Sequence, residues 1–327
     1  MMKRLCRSAL VGTAVALIGA TFGDLLAQPY PVRAVHIVVP YPPGGANDVL
    51  ARLIAQPLAP ALKTSVVVDN KPGGNAAIGS EYVAKAAPDG YTMLLGSQAT
   101  HAANPHLIER PRYNALTDFT PVAMIGEVNG VLVVNPSVPV DSVRDLIAYA
   151  RANPGKINFG HPGVGTPMSL AGELFKIRTG VNIVAIPYKG GAQVNSALLA
   201  GDIHVIFANT PSVLRWIQQK RIRALGVTSS TRDPLLPDVA PIAELGVPGY
   251  DMTNWFGLFL PANTPGAIVA RLNAEVRSVI RAPELKKKLM DLGAIPVDLT
   301  AEQFSAYVKK SYENIGTLIK AANLKPE

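Results

Sequence analysis

Short β-branched runs alternate with helical patterns along most of this chain, and that alternation limits its possible folds more than any other feature. His36-Ile37-Val38-Val39 reads as a strand and ends at a Pro/Gly turn, after which residues 48–54 have helical spacing. Ser65-Val66-Val67-Val68 and Tyr91-Thr92-Met93-Leu94-Leu95 repeat the strand pattern. Residues 130–134, 156–160, 183–186, 205–207, 224–227 and 255–260 continue it, with helices expected between them over 142–152, 168–178, 192–199 and 211–219. Thr264 is expected to cap a helix over 265–280 with Pro265 at its first position, and 302–322 reads as the last long helix. Strand–helix–strand order of this kind predicts an α/β fold with a largely parallel sheet.

A chain of 327 residues exceeds one simple core, so two lobes are expected. No internal repeat and no low-complexity linker divides it, which implies that the chain crosses between lobes more than once. The hydrophobic share of 48% is that of a globular protein.

Lys3, Arg4 and Arg7 precede an apolar run over 9–22, and the small residue Ala27 precedes Gln28-Pro29-Tyr30-Pro31. A positive start, a short apolar centre and a small residue before a Pro-rich start describe a secretory leader cleaved near Ala27. The run is too short for a comfortable permanent span. The single cysteine, Cys6, would leave with the leader, and the mature protein is expected to be exported, periplasmic and not membrane-spanning. The formal charge of +8 is scattered apart from Lys286-Lys287-Lys288, which reads as the solvated face of a helix. Zinc spacing, a helix-turn-helix and aromatic–basic interleaving are all missing, so nucleic acid is not an expected partner. A weak positive field favours the approach of an anion.

The sharpest local feature is Tyr41-Pro42-Pro43-Gly44-Gly45-Ala46-Asn47-Asp48, joining a strand to a helix. Glycines let the backbone approach a ligand, and a helix start offers amides to an anion. The bland alternative is a tight corner with Asn47 as the helix cap. The turn is neither a dinucleotide fingerprint nor a Walker loop. Gly160-His161-Pro162-Gly163-Val164-Gly165-Thr166 has the same construction, with the Thr166 hydroxyl beside the amides. Two anion-friendly helix starts, one per lobe, suit a cleft that closes on a ligand. Softer candidates follow other strands: Ser97 and Gln98, Tyr188 and Lys189, and Asn209. Lys71-Pro72-Gly73-Gly74-Asn75 reads as a turn into a helix.

An extracytoplasmic hydrolase acting on a small ester or amide is the competing reading. Neither a Ser-x-x-Lys pair nor a G-x-S-x-G elbow stands in a suitable context. The five histidines do not cluster; His36 reads as structural, and His161 has no evident nucleophile beside it in sequence. No catalytic residue, cofactor or metal ligand is assigned.

Whole stretches of the chain resemble Bug-type receptors, the extracytoplasmic solute-binding components of the tripartite tricarboxylate transporter family. The likeness rests on Tyr30 to Arg33, on Ile37 through Gly45 with Asp48, Ala51 and Arg52, on Val67-Val68-Asp69-Asn70-Lys71-Pro72-Gly73-Gly74, and on Pro88-Asp89-Gly90-Tyr91-Thr92. It continues through Asp118-Phe119-Thr120-Pro121-Val122, Ala171-Gly172-Glu173-Leu174-Phe175-Lys176, Pro187-Tyr188-Lys189-Gly190, Leu236-Pro237-Asp238-Val239 and Gly249-Tyr250. The resemblance implies a two-lobed periplasmic binding protein fold of type II-like form with the ligand cleft between the lobes. On this chain the lobes would be 28–127 plus 251–327 and 128–250. It also implies a receptor that holds a small carboxylate in the two turns, often through waters, for a membrane transporter or sensor; a monomer is expected. Two positions depart from the family pattern: Ser169 stands where a histidine is usual and Ala208 where an aspartate is common. The loss of that acid favours a plainer carboxylate over an amino acid.

Overall fold

A computed structural model describes residues 30–325. The leader, Cys6 and the cleavage site near Ala27 lie outside the described residues. From Arg33 onward the chain forms one compact unit. Its strands are β1 (Val35–Val39), β2 (Val66–Asn70), β3 (Thr92–Ser97), β4 (Phe119–Val134), β5 (Asn158–His161), β6 (Val184–Pro187), β7 (Val205–Asn209), β8 (Arg223–Val227), β9 (Thr253–Pro261) and β10 (Ala294–Pro296). Its helices are α1 (Ala46–Leu62), α2 (Ala77–Ala84), α3 (Asn104–Leu107), α4 (Val143–Ala152), α5 (Pro167–Thr179), α6 (Gly191–Ala200), α7 (Thr210–Gln218), α8 (Gly266–Arg281), α9 (Pro283–Asp291) and α10 (Ala301–Ala321). A π-turn at Ala99–Ala103 precedes α3.

The strands form one sheet in the order β2-β1-β3-β9-β4-β7-β5-β6, with β8 and β10 pairing β4 off that path. The sheet is mixed, which corrects the expectation of a largely parallel one. β1, β2 and β3 are parallel to one another, as are β5, β6 and β7. Between the two sets, β9 is antiparallel to both β3 and β4, and β4 is antiparallel to β7. Strands of this crossing type reverse direction, so the two parallel sets run towards each other.

β4 is the long member. Its stretch 119–129 lies along β9, and its stretch 130–134 lies between β7 and β8. Only the second stretch was legible as a strand. Pro121, Gly126, Glu127 and Asn129 interrupt the apolar pattern of the first, and its pairing to β9 is irregular at Pro121/Ala123 and Met124/Gly126. Such bulges hide a strand from a period-of-two reading.

Side chains alternate across β4, as a strand requires. Val131 and Val133 enter one cluster with Val194, Ile206 and Val213. Leu132 and Val134 enter another with Phe159, Phe175 and Ile315. A third cluster joins Met124, Trp255, Phe259 and Phe304 beside the first stretch. α10 therefore contributes to two cores, through Phe304 and Val308 at one end and through Ile315 and Leu318 at the other. A Thr300–Gln303 capping box starts it.

Thr264 does not cap α8. Pro265 occupies that position, and the Thr264 hydroxyl donates to the Pro261 carbonyl at 2.8 Å. The hydroxyl thus closes the turn out of β9 instead of meeting a helix amide. Lys287 and Lys288 pair with Asp291 and Glu284 on the surface of α9, as a solvated face should. His36 is structural as expected, with Nδ1 2.7 Å from Asp69 Oδ2.

Two glycines permit the aromatic packing. A Cβ on Gly96 would stand 2.6 Å from Phe259 and 2.7 Å from His101, whose rings stack at 3.8 Å. A Cβ on Gly257 would stand 2.2 Å from Phe304 and 3.0 Å from the Ala123 carbonyl. Gly257→Val is therefore expected to cost about 1–3 kcal/mol through overpacking. Urea unfolding measures this, and an unchanged midpoint would contradict the packing described.

Candidate functional site

The first turn is braced from within. Gly44 has φ +80°, a conformation that favours glycine, and its amide donates to Asp48 Oδ2 at 2.9 Å. Arg52 holds the same carboxylate, with Nε donating at 3.0 Å and a further nitrogen 3.0 Å from Oδ1. Asn70 donates to the Tyr41 carbonyl at 3.1 Å and accepts from Arg52 at 3.3 Å. Asp48, Arg52 and Asn70 therefore fix the shape of the loop and balance their own charge. Asp48 supports the turn through Oδ2, while its Oδ1 lies 3.0 Å from Arg52 without a well-aligned hydrogen bond.

Helix α1 begins at Gly45, whose carbonyl accepts from Val49 N–H, and no side chain caps it. The alternative with Asn47 as cap is thereby corrected: the helix starts earlier, and Asn47 Oδ1 is buried with no hydrogen-bond partner. The turn opens outward. Pro43, Gly44, Gly45 and Ala46 are exposed, a Cβ at Gly44 would touch nothing, and one at Gly45 would meet only the Pro42 carbonyl at 3.6 Å.

The second turn is built differently. Gly163 and Gly165 have φ of +137° and +77°. Thr166 caps α5, accepting from Ser169 N–H at 3.3 Å and donating to the Gly163 carbonyl at 2.7 Å. Its hydroxyl is committed inside the turn, so the turn presents backbone amides. His161 is buried, and its Nδ1 accepts from Gly163 N–H at 3.3 Å. Burial holds the imidazole below its usual range, with that hydrogen bond opposing. His161 is a neutral buttress here and has no nucleophile at hydrogen-bond distance. Val164 is exposed at the loop tip. Tyr188 donates its amide to the His161 carbonyl at 2.9 Å, while Lys189 is exposed and donates its amide to Gln193 at 3.0 Å.

The sheet brings the strand ends towards one another. Ser97, the last residue of β3, pairs with Phe256, which pairs with Gly126 of β4. Asn209, the last residue of β7, pairs with Gly130 of the same strand. The two opposed sets of strand ends therefore fall four residues apart along β4, about 13 Å. The flanking segments come close together: a Cβ on Gly165 would lie 2.3 Å from the Leu107 side chain of α3.

Buried polar groups without partners concentrate beside these strand ends. Among the described residues they include Asn47 Oδ1, Ser97 Oγ, Gln98 Oε1, His101 Nε2 and Asn129 Nδ2. Buried polar atoms normally find partners, so these are exceptions to the usual pattern. Burial pushes the Tyr41 phenol up, and the nearby Ser97 side chain moderates this without meeting hydrogen-bond geometry. His101 is held down to about 3 by burial alone and is neutral. Gln98 Nε2 lies 3.3 Å from Met252 Sδ. Asn209 lines a small recess with Pro167, Met168, Ala208 and Asn254. Sequence reading missed Asn129 and Asn254, because both lie in crossing strands where no turn or motif flags them.

Among the described residues, no three His, Cys, Asp or Glu side chains gather as metal ligands, and no helix is long and apolar enough to cross a membrane. Opposed α/β halves sharing crossing strands, with glycine-rich helix starts at the strand ends, define the periplasmic solute-binding protein fold. Residues 50–324 match the model of the tripartite tricarboxylate transporter family receptor, and the chain belongs to that family. It is 35% identical to protein BugT of Bordetella pertussis over 97% of each chain. It is 38% identical to a protein of the tcbD-tcbE intergenic region of Pseudomonas sp. (strain P51), over 88% of this chain and 85% of that one. Among solved structures it is similar to Rpa4515 of R. palustris with adipate, at 38% identity and TM-score 0.78, covering 91% of this chain and all (100%) of the other. MatC of Rhodopseudomonas palustris with bound malate is 29% identical at TM-score 0.74, covering 89% and 100%. Members of the family are binding receptors, which sets the hydrolase reading aside.

The Asp48 brace makes the first turn sensitive to acid. The guanidinium of Arg52 and the Gly44 amide hold the carboxyl at about 2, below its usual value. A depressed carboxyl stabilises the fold above its unfolded pKa, and that stability is lost as pH falls through the folded value. Asp48→Asn is expected to lose roughly 1.5–3 kcal/mol at pH 7. The gap between variant and wild type should close as pH drops from about 4 towards 2. Denaturant titrations across that range check this; a gap that stays constant would remove the ionised brace.

Proposed function

We propose that this chain captures a small carboxylate by closing two lobes on it and presents it to a membrane transporter or sensor. The observation that carries this reading is the cluster of buried, unpartnered polar atoms at Asn47, Ser97, Gln98 and Asn129, set beside an open glycine turn at a helix start. The amides at the start of α1 would grip the carboxylate, and those at the start of α5 would close over it. Tyr41, Ser97, Gln98 and Asn209 would supply neutral contacts. Adipate and malate, bound by the relatives, are the first ligands to try.

The lobes would be 28–127 plus 251–327 and 128–250. That division is supported by β4, which changes partners between Asn129 and Gly130, and by β9, which begins at Thr253. The basic and apolar start supports export with cleavage near Ala27, and we infer a monomer. Ala208 and Ser169 are uncharged where relatives of the resembling type carry Asp and His, which favours a ligand without an ammonium group.

Thermal unfolding with adipate, malate and related acids tests the receptor reading. A ligand at about 100 times its dissociation constant should add roughly 2.7 kcal/mol of stability. Gly45→Trp should abolish that shift while leaving the unliganded midpoint almost unchanged, because the added side chain projects into open space. No shift with any carboxylate would overturn the reading, and full binding by Gly45→Trp would remove the first turn from it.

A further inference from the structure

A second concavity lies away from the paired turns. A groove of about 730 Å³ runs along one face of α10, within the range of small-molecule sites. Tyr307, Lys310, Ser311, Asn314 and Leu318 of that helix line it at helical spacing. The C-terminal half of α5 forms the facing wall with Leu174, Ile177 and Arg178, and Asp251, Thr253 and Gln98 also line it.

Its polar groups sort by charge. Gln98 is only 3% exposed, and its Oε1 accepts from no donor. The Asp251 carboxylate accepts from the Ser230 amide at 3.1 Å and is in no ion pair among the described residues, so it presents an acceptor to the groove, whereas Gln98 Oε1 is closed off from it. Arg178 and Lys310 stand on the two walls and pair with no carboxylate among the described residues. The Arg178 guanidinium lies over Gly249, where a Cβ would sit 3.5 Å from it. Burial raises the Asp251 carboxyl, and the hydrogen bonds from Ser230, with a smaller part from the Lys310 charge, oppose that rise. Leu174, Ile177, Ile315 and Leu318 supply an apolar stretch alongside.

We infer that this groove binds a small zwitterion with an apolar side group, either a free amino acid or a short peptide. The ammonium lies at Asp251, the carboxylate between Arg178 and Lys310, and the side group against Leu174, Ile177 and Leu318. Each end of such a molecule meets an opposite charge, which a plain carboxylate would do at one end only. The site is independent of the glycine turn.

Calorimetric titration of the full protein tests it with L-leucine, leucyl-leucine, 4-methylpentanoate and 3-methylbutylamine. L-leucine or leucyl-leucine should bind, and whichever binds more tightly identifies the free or the peptide source. The two analogues, each lacking one charge, should bind on the order of tenfold more weakly or worse. Asp251→Asn and Ile177→Glu should weaken the zwitterion similarly; Ile177 is 42% exposed, so its replacement leaves the core intact. Gly45→Trp should leave zwitterion binding unchanged. The inference is overturned if neither zwitterion binds, if 4-methylpentanoate binds the Gly45→Trp variant as well as leucine does, if Ile177→Glu binds normally, or if Gly45→Trp abolishes zwitterion binding. Leucine binding without any adipate or malate binding would sink the carboxylate reading alone.

Discussion

The fold depends on one strand serving two sheets' worth of neighbours. β4 leaves β9 and joins β7 and β8 within a few residues, and everything else is hung from it. Because it runs antiparallel to β9 on one side and to β7 on the other, the parallel sets at either end must point at each other. The C-terminal ends of strands are where open α/β sheets place ligand contacts. Here the geometry makes two such rows of ends share one stretch of backbone. The site is thus a consequence of strand direction before it is a matter of particular side chains.

Chemistry at the first turn follows from neutrality. Asp48 carries the only carboxylate in the loop, and Arg52 cancels it on the spot. What remains to face outward is backbone, held in place by Gly44 and by Asn70 from the neighbouring strand. Oriented amides in such a frame cost little to reorganise when an anion arrives. The second turn reaches the same condition by another route, with Thr166 closing the loop on itself and His161 kept neutral beneath it.

Much of this was legible in the sequence, and the reasons for the gaps are physical. Glycine turns at strand–helix junctions announce themselves, because only certain residues tolerate those conformations, so the pair at 41–48 and 161–166 stood out. Asp48 and Thr166 were visible as polar residues in the right place but not as braces, since that role depends on Arg52 and Gly163 folding back onto them. The first stretch of β4 was hidden by bulges and by Pro121 and Gly126. Asn129 and Asn254 had no local signal at all; their position is set by pairing between strands more than a hundred residues apart. The mixed sheet was missed for the same reason, because local patterns do not encode strand direction.

The contact between Leu107 and Gly165 has a further consequence. The chain from Ser97 at the end of β3 through Gln98 to α3 reaches the second turn, where a Cβ on Gly165 would lie 2.3 Å from the Leu107 side chain. Any larger residue at 165 would have to displace Leu107, so the spacing of these two segments rests on a residue that offers no side chain of its own.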